Sequence, residues 1–266
     1  MNVSANSVRQ YLAAGELCIG LGVRVVRTPE IVRLAQGAGY RWLFIDLEHG
    51  PFSIDTASQI AVAALGSGVE PFVRVPRGEH AMATRMLDNG ASGIVCPMLE
   101  SADEAREIVR RLKYPPIGQR SISSNMPQFG YQVPRIDVLT ERLNRESMIV
   151  AMIETRAGLA AAHEIAAVPG IDILLIGTND LCANLGLHGQ YDHPEVDRAY
   201  RDVIDACHKN GLWAGMGGIR QHDLMRRHID QGVRFVLVGS DLSVLSRAAR
   251  LECSEVQALA PLVTQA

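Results

Sequence analysis

Short apolar runs alternate with longer amphipathic stretches along the whole chain. The runs are CIGLGVRV (18–25), WLFIDL (42–47), PFVRV (71–75), GIVCPM (93–98), MIVAMI (148–153), DILLIG (172–177), LWAGM (212–216) and RFVLVG (234–239). Most are almost continuously apolar, the pattern of parallel strands covered on both faces. The stretches between them read as helices. PEIVRLAQGAG has Pro29 near its start and glycines near its end, the usual start and stop signals. SADEAREIVRRLK offers Ser101 as N-cap and Glu104, three positions on, as its capping-box partner. HPEVDRAYRDVIDACHKNG and RQHDLMRRHIDQG both finish at glycine. One long interruption, 114–147, is rich in Pro, Gly and Ser around YPPIGQRSISSNMPQFGYQ and reads as a loop, of a length that is usually functional or mobile.

Eight strands alternating with helices predict an α/β fold of the (β/α)8 type. The competing open, doubly wound sheet would carry GxGxxG after a strand. Gly20 and Gly22 lack the third glycine, and GMGG (215–218) is no better. The chain has 266 residues, of which 47% are hydrophobic, enough for one barrel domain over 1–266. A net charge of −3 gives no basis for nucleic-acid binding or a basic membrane patch. Five scattered cysteines without a CxxC exclude a disulfide framework or zinc ribbon as the organising principle. The N-terminal residues lack the pattern of a signal peptide, and no apolar stretch approaches the roughly 20 residues needed to cross a bilayer. A cytoplasmic location is the expectation.

In barrels of this kind chemistry sits at the C-terminal ends of the strands. Asp46, Glu48 and His49 follow the second run, in FIDLEHGPF. Arg74 lies at the end of the third, Glu154 directly after the fifth, and Asn179 and Asp180 just after the sixth. Two carboxylates, Glu154 and Asp180, converging at a barrel mouth repel unless a cation or shared proton lies between them. Oxygen-only donors favour Mg²⁺, with Mn²⁺ or Co²⁺ also admissible, whereas local structural contacts are the competing reading. Asp46 lies three residues before His49. A turn there would let the carboxylate hold the imidazole and favour its protonated form, as suits a general base; a capped turn with a surface histidine is the alternative. Arg74 interrupts an apolar strand, which calls for an anion, a developing negative charge, or a structural ion pair. Arg120, in the long loop, is either a contact for an acidic substrate or a surface residue. The turns at 215–218 and 239–241 offer backbone N–H groups to an anion. The other seven histidines fall on amphipathic or polar stretches and read as solvated or structural.

FIDLEHGPF, PFVRVP, GIVCPMLESADEA, AMIETRAGL and LLIGTNDLCANLG, in this order, resemble the HpcH/HpaI family of metal-dependent pyruvate aldolases, over residues of about 15 to 250. The resemblance implies a TIM barrel of the phosphoenolpyruvate/pyruvate type, a divalent cation with Mg²⁺ foremost, and a small oxo-acid substrate. It also implies a hexamer built as a trimer of dimers, with a C-terminal helix exchanged between partners. By position it makes Glu154 and Asp180 metal ligands, His49 the base, Asp46 the acid orienting that base, and Arg74 a contact to the oxo-acid oxygen. Backbone at Gly177, Thr178 and Asn179 would receive the substrate carboxylate, and Glu48 would order metal-bound water. Three departures stand out. Many members have proline at Thr178 and a polar residue at Met152, and the 118–132 loop differs from the familiar forms.

The reaction so implied is reversible cleavage of a 4-hydroxy-2-oxo acid to pyruvate and an aldehyde. No lysine stands at a matching strand end, which disfavours a Schiff-base route. Two alternatives stay open: a related metal-dependent barrel acting on an acyl-CoA thioester or phosphonate, and a non-catalytic oxo-acid-binding barrel.

Overall fold

The computed structural model describes residues 7–260. Eight parallel strands close into a barrel in chain order: β1 Cys18–Val23, β2 Trp42–Asp46, β3 Glu70–Arg74, β4 Gly93–Cys96, β5 Met148–Ile153, β6 Ile173–Gly177, β7 Trp213–Gly217 and β8 Val233–Ser240. The helices are α1 Val8–Ala13, α2 Glu30–Gly37, α3 Ile54–Ala64, α4 His80–Asp88, α5 Ala102–Leu112, α6 Ile136–Glu146, α7 Arg156–Ala160, α8 Ala162–Ala166, α9 Thr178–Asn184, α10 Pro194–Asn210, α11 His222–Gln231 and α12 Asp241–Gln257. This is the expected (β/α)8 barrel, with each of the eight apolar runs forming a strand. None of these helices is long and apolar enough to cross a membrane.

Two apolar layers hold the barrel. The outer one lies between the sheet and the helices. The inner one fills the lumen with Trp42, Phe44, Phe72, Met148, Leu175 and Phe235 among others. Trp42 stacks on Phe235 with ring centroids 3.9 Å apart and donates its indole N–H to the Cys18 carbonyl at 3.2 Å. These rings fit because the facing strands carry glycine: a Cβ at Gly20 would overlap the Trp42 ring, and one at Gly93 the Phe72 ring. The lumen is therefore closed below the mouth, and chemistry is confined to the open end.

Two local expectations need correction. The 114–147 segment is not loop throughout. It contains a single 3-10 turn, Pro127–Phe129, and the helix α6. Leu139 and Leu143, one turn apart, pack with Tyr114 and Met126 in a small core of their own. Arg135 at the N-cap of α6 makes no side-chain cap, so the usual start signal is missing from the sequence. At α5, Ser101 accepts the Glu104 N–H at 3.2 Å as expected. The Glu104 carboxylate, however, accepts from the Glu100 N–H and from Arg77 instead of closing the box on Ser101. The Gly stops behave as read: Gly211 and Gly232 end α10 and α11 with φ of 70° and 131°.

Candidate active site

The strand ends at β2, β3, β5 and β6 open onto one cavity of about 250 Å³ at the barrel mouth. Asp46, His49, Arg74, Glu154, Thr178 and Asp180 all line it. The closed sheet thus brings together residues as distant in the chain as Asp46 and Asp180.

Asp46 is the last residue of β2 and pairs in register with Arg74, the last residue of β3. Arg74 donates from Nε to Asp46 Oδ1 at 3.0 Å and from Nη2 to Oδ2 at 2.8 Å. Its third nitrogen, Nη1, lies 3.2 Å from Glu48 Oε2. Burial alone would push the Asp46 carboxyl up. The hydrogen bonds and charge of Arg74, with the His49 and Glu48 N–H groups, outweigh it and hold Asp46 below the usual carboxylate range. Burial likewise opposes charge on Arg74, and Asp46, then Glu48 and Glu154, reverse it.

Of the two arrangements open to Asp46 and His49, the capped turn with a surface histidine is the one present. Its carboxylate meets the backbone N–H of His49, at 3.2 Å, rather than the imidazole. The turn explains why. Gly50 sits where any Cβ would overlap the Asp46 carbonyl, so the chain curls back and presents N–H groups, not side chains, to the acid. The His49 ring points outward, 61% exposed, with Nε2 3.7 Å from Glu48 Oε2. Glu48 therefore bridges Arg74 and His49.

Glu154 follows β5 and is buried. Its Oε2 accepts the Met98 N–H at 2.9 Å. Met98 holds a positive φ of 56°, uncommon for a side chain of that size, and that conformation belongs to the turn carrying its N–H to the acid. A Cβ at Gly177 would overlap Glu154 Oε1, so glycine at the end of β6 is what lets the carboxylate in. Burial, then the charge of Asp180, raises the Glu154 carboxyl to about 7, against the opposing pull of the Met98 N–H. Asp180 lies in the first turn of α9 and is exposed to the mouth. Neither carboxylate has a basic partner within ion-pair distance among the described residues. No group of three or more His, Cys, Asp or Glu residues converges as a metal cluster among them either. The donor set is thus two carboxylates. A buried acid made costly to ionise by a second acid, with oxygen donors only, fits a hard divalent cation completed by water or substrate oxygens.

Thr178 and Asn179 open α9 beside this pair. The Thr178 hydroxyl donates to the Gly217 carbonyl at 2.7 Å and accepts from the Tyr200 hydroxyl at 2.7 Å, all three buried. This hydroxyl pins the β6–α9 turn to the end of β7. Asn179 Oδ1 accepts from Tyr191 at 2.9 Å.

Arg120 is not at the mouth. Its side chain, 1% exposed, lies over the Tyr114 ring and donates to Asp88 at 2.5 Å, where it fastens the 118–132 loop to the end of α4. The Ser240–Asp241 turn also differs from the expected anion nest. Asp241 is buried and itself accepts the N–H groups of Arg24, Val25 and Val26. Sequence reasoning missed Met98, Tyr200, Arg24 and Arg220. Arg24 carried the same signal as Arg74, a charge inside an apolar run; Met98 and Tyr200 carried none.

The chain is 39% identical over 259 residues to a 4-hydroxy-4-methyl-2-oxoglutarate aldolase of Chaetomium globosum, covering 96% of each. It is 35% identical over 263 residues to a hydroxypyruvate/pyruvate aldolase of Paraburkholderia phytofirmans, covering 97% of this chain and all of that one. The crystal structure of an HpcH/HpaI aldolase from Desulfitobacterium hafniense superposes with a TM-score of 0.90 at 28% identity, over 97% of this chain and 99% of that one. The family model for HpcH/HpaI aldolase/citrate lyase matches residues 25–248, which takes in Asp46, Glu48, His49, Arg74, Glu154, Thr178 and Asp180, and the chain belongs to that family.

Proposed function

We propose that this aldolase-family lyase is divalent-cation-dependent and reversibly cleaves a 4-hydroxy-2-oxo acid to pyruvate and an aldehyde or related carbonyl compound. The observation that carries the reading is the convergence of Glu154 and Asp180 beside Arg74, Asp46 and His49 in one cavity. Relatives at 33–39% identity are named as aldolases of 4-hydroxy-4-methyl-2-oxoglutarate and of hydroxypyruvate and pyruvate, which supports it.

A cation held by Glu154 and Asp180, Mg²⁺ foremost and Mn²⁺ or Co²⁺ by the same donor chemistry, would supply Lewis-acid polarisation of the 2-oxo group. The rest falls to the chain. Backbone N–H groups around Gly177, Thr178 and Asn179 receive the carboxylate, with Thr178 fixing their position. His49 takes the proton of the 4-hydroxyl, and its exposed ring returns that proton to solvent. As the C3–C4 bond breaks, its electron pair passes into the pyruvate half as an enolate whose oxygen faces Arg74, and a proton from solvent at C3 then completes pyruvate. Arg74 is already oriented by Asp46 and Glu48, so it stabilises that charge without reorganising. Glu48 sets the His49 ring and orders water beside it.

The proposed assembly is a hexamer in which α12 is exchanged between partners. Its support is the row of exposed apolar side chains on α12, with Leu245 at 61% and Leu251 at 59%, and the exposed Leu34 on α2. The proposed location is the cytoplasm, supported by five cysteines that are all free. Treatment with EDTA, with pyruvate release followed, tests the reading. Activity should vanish and return with Mg²⁺ or Mn²⁺; full activity in metal-stripped protein rules it out.

A further inference from the structure

The cavity has a second half that the proposed chemistry leaves unused. The wall formed by the ends of β7, β8 and β1 is rich in glycine, with Gly22, Gly217, Gly218 and Gly239 beside Leu237 and Ser240, which leaves room in front of it. Two guanidinium groups stand on its rim, Arg24 after β1 and Arg220 after β7.

Both are held by the first turn of α12. Asp241 accepts the backbone N–H of Arg24 at 2.8 Å, of Val25 at 3.0 Å and of Val26 at 2.8 Å, which fixes the turn that carries Arg24. Ser243 donates its hydroxyl to the Ser240 carbonyl at 2.9 Å, and its oxygen accepts from Arg220 Nη1 at 3.2 Å. A Cβ at Gly239 would sit 2.8 Å from that same Nη1, so glycine there makes room for the guanidinium. Neither arginine is neutralised closely. Among the described residues the Arg24 guanidinium has one carboxylate in ion-pair range, Asp46 at 3.9 Å, and that of Arg220 has none.

Their position relative to His49 gives them a task. Arg24 Nη2 donates to the His49 carbonyl at 3.4 Å, so its guanidinium lies beside the residue that takes the 4-hydroxyl proton. Arg220 lines the same cavity, so a group on C4 of a substrate whose hydroxyl faces His49 enters the space that both arginines border. Guanidinium groups pair with carboxylates in a planar, directional way. We propose that Arg24 and Arg220 form a carboxylate subsite for the carbonyl half of the substrate, so that the preferred substrates bear a second carboxylate on or beyond C4. This rests on the aldolase reading above and deepens it.

The test is kcat/KM for pyruvate release from two 4-hydroxy-2-oxo acids, one with a carboxylate and one with a methyl group in the same place on the leaving half. The native enzyme should prefer the first. Arg220→Met should lower the ratio of the two kcat/KM values by at least about tenfold, chiefly through KM, with Ser243→Ala lowering it less and Arg220→Lys retaining most of it. Because both substrates meet the same protein, loss of folded enzyme cancels from the ratio. A ratio unchanged in Arg220→Met, or a native preference for the methyl compound, overturns the subsite while leaving the lyase reading intact. Native enzyme that releases pyruvate from neither compound overturns both.

Discussion

Arg74 and Asp46 face each other across the β2–β3 register and are joined by two hydrogen bonds, at 3.0 and 2.8 Å. A buried guanidinium is tolerated only with such a partner, and here the partner also aims it. Burial opposes the charge on Arg74, and Asp46, with smaller contributions from Glu48 and Glu154, outweighs it.

Lysine cannot reproduce that two-pronged contact. Arg74→Lys should therefore lower kcat by about 10²–10³-fold, the usual loss on removing one positioned donor to a developing oxyanion, with KM for the oxo acid changed much less. Steady-state kinetics on folded protein check this. A loss confined to KM would mean that Arg74 only binds.

Glu154 makes stability depend on pH in a direction opposite to the usual acid. Its carboxyl lies at about 7 in the folded protein against an ordinary 4.5. The folded state then binds the proton more tightly than the unfolded one, so this residue's contribution falls as pH rises from 4.5 through 7 and is level above. A divalent cation needs the ionised form, so its affinity should weaken by up to about tenfold per pH unit below 7. Melting with and without Mn²⁺ at pH 6 and pH 8 reads both effects. The gain in Tm from the ion should be larger at pH 8; an equal gain at both would place the proton elsewhere.

The Thr178 hydroxyl serves two buried groups, the Gly217 carbonyl and the Tyr200 hydroxyl. Thr178→Val removes both bonds in a dry site and should cost about 1–3 kcal/mol, seen in thermal unfolding, while Thr178→Ser should cost far less. If the valine variant melts like the native protein, the turn is held by other means.

Packing below the mouth gives a prediction independent of chemistry. Gly20→Ala would press a methyl group into the Trp42 ring, which is itself stacked on Phe235 and bonded to Cys18. A loss of about 1–3 kcal/mol is expected, as for overpacking of a close-packed core. Chemical denaturation measures it directly.

The barrel was legible because its strands are buried on both faces, and such strands announce themselves as unbroken apolar runs of five or six residues. Most of the mouth was legible for a related reason: Asp46, Arg74 and Glu154 are charges at the edge of those runs, where only an end of a strand can place them. What stayed hidden depends on pairings far apart in sequence. That Asp46 spends itself on Arg74 and not on the His49 ring follows from the β2–β3 register and the Gly50 turn, and periodicity carries neither. Arg120 read as a contact for substrate or a surface residue, whereas the structure seats it over the Tyr114 ring and against Asp88. The helix α6 escaped because its apolar face is only Leu139 and Leu143 and no capping side chain marks its start.

In the proposed chemistry Glu154 and Asp180 share one ion. Calorimetric titration of metal-stripped native protein, Glu154→Gln and Asp180→Asn with Mn²⁺ tests that most directly. The expected result is one ion per chain in the native protein, with affinity lower by at least about tenfold in each variant. Equal affinity in all three proteins would contradict it.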